Sequence, residues 1–188
     1  MRGAARQAAR YSLHEPAPRG HRRPRADAQR YATLRAAVLT VTDSRTLETD
    51  ESGVVLRDGL TAAGHTVHDR ALLPNDEARV RTLLTEWLGR DDLDLIVITG
   101  GTGLGSRDRT IEAVRPLLEK EIPGFGELFR LLGYQEQVGT AAMLSRATAG
   151  SARGKLLISL PGSKAAVGLA LERLVLPEAA HLLREIRR

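Results

Sequence analysis

The residues best suited to chemistry lie in one stretch, LDLIVITGGTGLGSRDRT (93–110). A run of β-forming residues breaks at Gly100 into four glycines within six positions, and Asp108 follows just before helix-like sequence. One or two glycines make a tight turn; four of six imply that something touches the backbone. Gly100, Gly101, Thr102 and Gly103 would present consecutive N–H groups before a helix N-terminus, the arrangement of a phosphate or anion nest. Glycine supplies the positive φ angles that aim those groups inward and leaves no Cβ in a ligand's path. Asp108 has two readings: a carboxylate that holds a Mg²⁺ bridging phosphate oxygens, or the N-cap of the helix that follows.

Two other glycine-loop mechanisms fit less well. TGGTG resembles the opening of a nicotinamide-dinucleotide fingerprint, but such a loop follows the first strand of its domain, and Ser106 stands where the third glycine belongs. The segment GSARGKL (150–156) is one residue short of a P-loop, and Leu156 replaces the hydroxyl residue that would hold Mg²⁺. With no cysteine in the chain, thiolate metal sites and a cysteine nucleophile are excluded, and a reducing cytosol is the expected compartment. The histidines, among them His65, His68 and His181, show no zinc spacing and read as surface or packing residues.

Strands and helices must alternate to hold such a loop. RAAVLTVTDS (35–44) reads as a buried strand, SGVVLRDGLTAAGH (52–65) as a helix ended by Gly64, and TVHDRAL (66–72) as a second strand stopped by Pro74. In NDEARVRTLLTEWLG, Val80, Leu83, Leu84, Trp87 and Leu88 form one apolar helical stripe, with Asn75 or Asp76 as its cap. The third strand is 93–99. Helices are expected over 109–120, with Pro116 as a bend point, and over 123–135, 163–174 and 177–187, with a strand at 155–160. The pattern predicts an α/β domain: a mostly parallel, doubly wound sheet between two helical layers, with ligands at the strands' carboxyl ends.

The net charge of +5 is misleading. Residues 1–33 hold eight arginines against Glu15 and Asp27, a balance of +6, so the other 155 residues sum to −1. A nucleic-acid-binding core is therefore not expected. Residues 1–33 read as a disordered arginine-rich extension, either solvated or an electrostatic docking arm, and 34–188 as one domain. At 42% hydrophobic the chain can bury one such core, and no apolar run reaches the roughly 20 residues of a membrane span.

Several blocks taken together resemble the MogA/MoaB family of molybdenum cofactor biosynthesis proteins. VITGGTGLGSRD matches the family's signature, VTDSR (41–45) with DESG (50–53) its first strand and following loop, and PGFGELFR, MLSRATAG and SLPGS its later blocks in order. The opening is similar to the MoaB branch. The resemblance implies a three-layer fold, a homotrimer or a hexamer in the cytoplasm, and Mg²⁺- and ATP-dependent adenylylation of molybdopterin with release of pyrophosphate. A relative that binds molybdopterin without adenylylating it is the alternative, and a nicotinamide-dependent reductase a weaker one. Asp108 would be catalytic and metal-binding. Gly100, Gly101, Thr102, Gly103, Ser145, Arg146, Pro161, Gly162 and Ser163 would line the substrate pocket, with Glu127 close by. Active members carry a Pro-Asp pair 33 residues ahead of the signature aspartate; here that position is Asn75, and the aspartate is displaced to Asp76. Asn75 and Asp76 thus complete the expected metal set, with Asp76 also catalytic.

Overall fold

The structure, a computed structural model, describes residues 33–188; almost all of the arginine-rich extension lies outside the described residues. Six strands form one sheet in the order β2-β1-β3-β6-β5-β4. They are β1 (Arg35–Val41), β2 (Thr66–Leu73), β3 (Leu95–Thr99), β4 (Lys120–Glu121), β5 (Thr148–Ala152) and β6 (Lys155–Leu160). β2, β1, β3 and β6 are parallel, and β5 and β4 add antiparallel at one edge. The sheet is doubly wound and mostly parallel, as expected, but the antiparallel edge is new. Its strand β5 (TAGSA) has small residues and no β-branched run, so its strand character comes from pairing. Arg153 (φ 46°) and Gly154 (φ 71°) form a two-residue hairpin of the left-handed kind that folds it against β6.

That edge also shortens the helix expected over 109–120. Helix α3 spans only Thr110–Val114, and a 3₁₀ turn at Arg115–Leu117 contains Pro116. The chain beyond it is drawn into the sheet: the Glu119 N–H donates to Ser151 O at 2.8 Å, and β4 pairs with β5. The other helices are α1 (Glu51–Ala62), α2 (Glu77–Leu88), α4 (Pro123–Gly133), α5 (Lys164–Ala170) and α6 (Leu176–Ile186). A π turn at Leu171–Val175 joins α5 to α6 just before Pro177, whose missing N–H removes one regular helical bond.

Alternation along β1 splits the core into two layers. Ala36 and Val38 face α1 and α4–α6, together with Leu56, Phe129 and Leu183; Ala37, Leu39 and Val41 face α2 and α3, together with Val80, Leu84 and Trp87. Trp87, in the last turn of the apolar stripe, is fully buried. Asp76 caps α2 and Gly89 ends it, while Gly64 (φ 86°) follows α1 in the left-handed conformation. Among the described residues, no helix is long and apolar enough to cross a membrane.

At the amino ends of the strands, Asp94 ties the chain together. Arg35 donates to it from its backbone and its guanidinium, and Arg187 adds an ion pair at 2.8 Å. Burial alone would raise this carboxyl, but the donors from Arg35 and Arg187 outweigh it and hold its pKa down to about 2. A carboxyl lowered on folding stabilises above its unfolded pKa, near 3.8, and loses that contribution as pH falls through about 2. Asp94→Asn should therefore cost roughly 2 kcal/mol at pH 7. The gap from wild type in urea unfolding should close as pH falls from 4 towards 2; a gap constant over that range would contradict the assignment.

Candidate functional site

The strand order reverses direction at β1: β2 lies on one side and β3 on the other. Such a switch point opens a crevice at the carboxyl ends of the strands. A cavity of about 600 Å³ lies there, walled by the loops after β1, β3 and β6 and by the segment after α4.

Its floor is a close approach of backbones. At Gly100 (φ 91°) a Cβ would lie 2.2 Å from the Val41 carbonyl oxygen, and a Cβ on Gly162 would lie 3.1 Å from Gly100 Cα. Hydrogen bonds fix the contact: Gly100 N–H to Leu160 O at 3.0 Å, Thr99 Oγ1 to Pro161 O at 2.9 Å, and Ser52 Oγ to Gly162 O at 2.8 Å. The expected four-amide nest is thereby reduced. Gly100 spends its N–H on β6, whereas the amides of Gly101 (φ 61°), Thr102 and Gly103 find no acceptor among the described residues. Helix α3 begins beyond this loop with Thr110 donating to Gly101 O at 3.0 Å.

Asp108 lies in the cavity wall, and its Oδ2 accepts from the Gly105 N–H at 3.1 Å. Arg109, not Asp108, occupies the cap position of α3, so the capping reading does not apply. Ser145, Pro161, Gly162 and Ser163 join the glycine loop in the wall, and so does Asn75.

Three expected residues lie elsewhere. Asp76 is exposed and its side chain accepts from Arg79 N, because the first turn of α2 needs an acceptor for its free N–H groups. Glu127 belongs to a separate small cavity with Arg115, Glu121 and Arg130, since it projects from the first turns of α4. Arg146 braces the glycine loop from outside the cavity. It donates to Thr102 O at 2.9 Å, Asp108 O at 3.1 Å and Glu112 Oε1 at 2.6 Å, and its guanidinium holds the Glu112 carboxyl below the usual range.

Sequence reasoning missed the loop after β1 as a source of site residues. Asp43 accepts from Asn75 N at 2.9 Å and Asn75 Nδ2 at 3.2 Å, and pairs with Arg107 at 3.1 Å. The backbone and side-chain donors of Asn75, then Arg107, lower its pKa. Arg45 is a cavity-lining cation. Asp50 reaches the same wall but is consumed internally: it accepts from Gly53 N, Thr40 Oγ1 and Arg70, which outweigh its burial and lower its pKa. The signal lay in VTDSR and DESG, but no spacing rule brings residue 43 to residue 75.

Phe129, Val138, Ala142 and Leu144 give the cavity an apolar side facing the polar one. The combination suits a ligand with a flat ring and a phosphate. Among the described residues no three His, Cys, Asp or Glu side chains gather as a metal site. Mg²⁺ needs fewer protein ligands, because it takes one or two carboxylates with substrate phosphates and water. The wall fits that demand. It offers the carboxylates of Asp108 and Asp43, and Asn75 beside them keeps a buried Oδ1 without a hydrogen-bond partner.

A family profile described as "Probable molybdopterin binding domain" matches residues 37–181. The chain belongs to the MogA/MoaB family of molybdenum cofactor biosynthesis proteins. It is 49% identical over 154 residues to molybdenum cofactor biosynthesis protein B of Halalkalibacterium halodurans, covering 82% of this chain and 91% of that protein. It is 51% identical over 156 residues to the protein of that name from Staphylococcus aureus strain COL, covering 82% and 92%. A crystal structure of a molybdenum cofactor biosynthesis protein B superposes with a TM-score of 0.80 at 44% identity, covering 83% of this chain and 97% of that one. The tungsten cofactor synthesizing protein MoaB of Pyrococcus furiosus gives 0.75 at 37%, covering 83% and 98%. MogA/MoaB membership thus rests on sequence and fold alike.

The floor makes a sharp demand on residue 100. Gly100→Ala should destabilise the domain by roughly 2–4 kcal/mol through overlap and a disfavoured φ. Gly124→Ala, where a Cβ meets nothing within 4 Å, should be neutral or slightly stabilising. Equal melting temperatures for the two variants would refute this account of the floor.

Proposed function

We propose that this MogA/MoaB protein adenylylates molybdopterin with ATP and Mg²⁺, releasing pyrophosphate. The observation that carries the reading is the shared cavity: free amides of Gly101, Thr102 and Gly103, the Asp108 carboxylate and an apolar wall meet at the sheet's switch point. The terminal phosphate of molybdopterin attacks the α-phosphorus of ATP, a new P–O bond forms, and the bond to pyrophosphate breaks. A phosphate monoester is largely dianionic at pH 7, so the step needs no general base or protein nucleophile. The chain's task is positioning and charge neutralisation. Loop amides and Arg45 receive phosphate oxygens, and the apolar wall of Phe129, Val138 and Leu144 receives a ring. Mg²⁺, held by Asp108 and substrate phosphates, would neutralise charge on the departing pyrophosphate.

Binding of molybdopterin without adenylylation is the second reading. It is favoured by Asn75, which brings no negative charge, and by Asp76, which faces away. The nicotinamide reading has no comparable support, since the glycine loop follows the third strand. We also propose a cytoplasmic homo-oligomer, trimer or hexamer. Leu128, Leu131, Tyr134 and Met143 lie at least half exposed along α4 and the turns after it, more apolar surface than scattered residues explain.

The deciding measurement is transfer of labelled AMP from ATP to molybdopterin. Wild type should exceed Asp108→Asn by about 10²-fold or more, with fold and assembly unchanged by circular dichroism and light scattering. If wild type transfers no faster than Asp108→Asn, yet binds molybdopterin, the second reading holds.

A further inference from the structure

Three carboxylates reach the main cavity, and they are not equivalent. Asp50 accepts from Thr40, Gly53 and Arg70 and has no exposed side-chain surface, so a cation in the cavity cannot reach it. Asp108 accepts one loop amide on Oδ2. Asp43 is held by Asn75 N on Oδ1 and by Asn75 Nδ2 and Arg107 on Oδ2, and 29% of its side chain stays exposed. Each carboxylate oxygen can accept two bonds, so capacity remains on Oδ1. Asp43 and Asp108 line the same cavity, and Arg107, the neighbour of Asp108 in the chain, pairs with Asp43 at 3.1 Å.

Asn75 is shaped for this arrangement. Its amide nitrogen faces Asp43, while its Oδ1 is buried beside Gly101 without a partner. A flipped amide would set two oxygens against each other at Asp43, so the carboxylate fixes the orientation. An aspartate at 75 would likewise set two like charges about 3.2 Å apart, an arrangement that a cation relieves.

We propose that Asp43 is the second carboxylate of the cation site, beside Asp108, and that Asn75 is its positioning residue. This deepens the reading above and rests on it for the identity of the substrate. The chain keeps a negative charge at the cavity mouth, carried on the loop after β1 instead of the loop before α2. Asp43 would reach the metal with its free lone pairs, and Asn75 would hold it there by two hydrogen bonds.

The test is calorimetric titration of Mn²⁺ into the full chain, alone and with a non-hydrolysable ATP analogue. Asp43→Asn should weaken Mn²⁺ binding about tenfold, the usual scale for loss of a ligand or its orienting partner. Asn75→Asp should strengthen it by about as much. The exchange variant Asp43→Asn/Asn75→Asp should return to within about threefold of wild type, because an amide at 43 can donate to a carboxylate at 75. Asp43→Asn titrating like wild type, or the exchange variant behaving like Asp43→Asn, would overturn the proposal. If Asp43→Asn fails to fold, Asn75→Ala replaces it: unchanged Mn²⁺ affinity then overturns the positioning role, and a several-fold loss supports it. AMP transfer takes no part in this readout. A chain with these Mn²⁺ affinities and no transfer defeats adenylylation alone, and an active chain indifferent to Asp43→Asn defeats this inference alone.

Discussion

The structure turns on how closely three adjacent strand ends approach at Gly100. Neighbouring parallel strands lie about 4.8 Å apart, so loops that leave β1, β3 and β6 can share a floor only where side chains are missing. Residue 100 has the Val41 carbonyl where its Cβ would be, and Gly162 packs on its Cα. Ser52, Thr99 and the Gly100 amide then cross-link the loops. The chain leaves this floor through Gly101 in the left-handed conformation, the next amides find no acceptor among the described residues, and Asp108 packs against Gly103.

The carboxylates divide by what burial leaves accessible. Asp94 and Asp50 are buried and surrounded by donors, and removing a donor would leave a buried charge under-compensated. These two serve the fold. Asp43 and Asp108 border open space, so their remaining lone pairs can meet a ligand. The same division separates the arginines. Arg70 and Arg146 are committed to Asp50 and to the back of the glycine loop, whereas Arg45 lines the cavity itself. Charge near the site is thus a poor guide to function until its partners are counted.

The same distinction explains what could be read from the sequence. Trp87 and its stripe, the β-branched run of β3 and the glycine loop announce themselves through local periodicity and composition. The edge strand β5 does not: TAGSA has strand geometry because β6 lies beside it and Arg153-Gly154 folds it back. The expected helix after Asp108 continued past Pro116 on its own periodicity, and only the edge pairing with β5 shows why the chain leaves it. Within the site, the glycine loop and Asp108 were legible because one segment carries them. Arg146 and Glu127 were placed at the pocket by motif order alone, yet one clamps the loop's outer side and the other opens into a different cavity. Asp43 escaped because its role depends on a contact 32 residues away.

The displaced aspartate shows how local geometry limits such substitutions. Asp76 sits at φ −123°, ψ 108°, an extended conformation, and consecutive side chains on an extended backbone point to opposite sides. With Asn75 turned into the cavity wall, Asp76 must turn out. There it finds the unpaired N–H groups of α2, a contact worth about 1 kcal/mol. Turning Asp76 inward would uncap the helix and pull Asn75 off Asp43 together, so two losses guard the present register. A one-residue shift in sequence is therefore not a small shift in space. It exchanges a cavity-facing position for a helix cap, and any negative charge required at the mouth has to come from another loop.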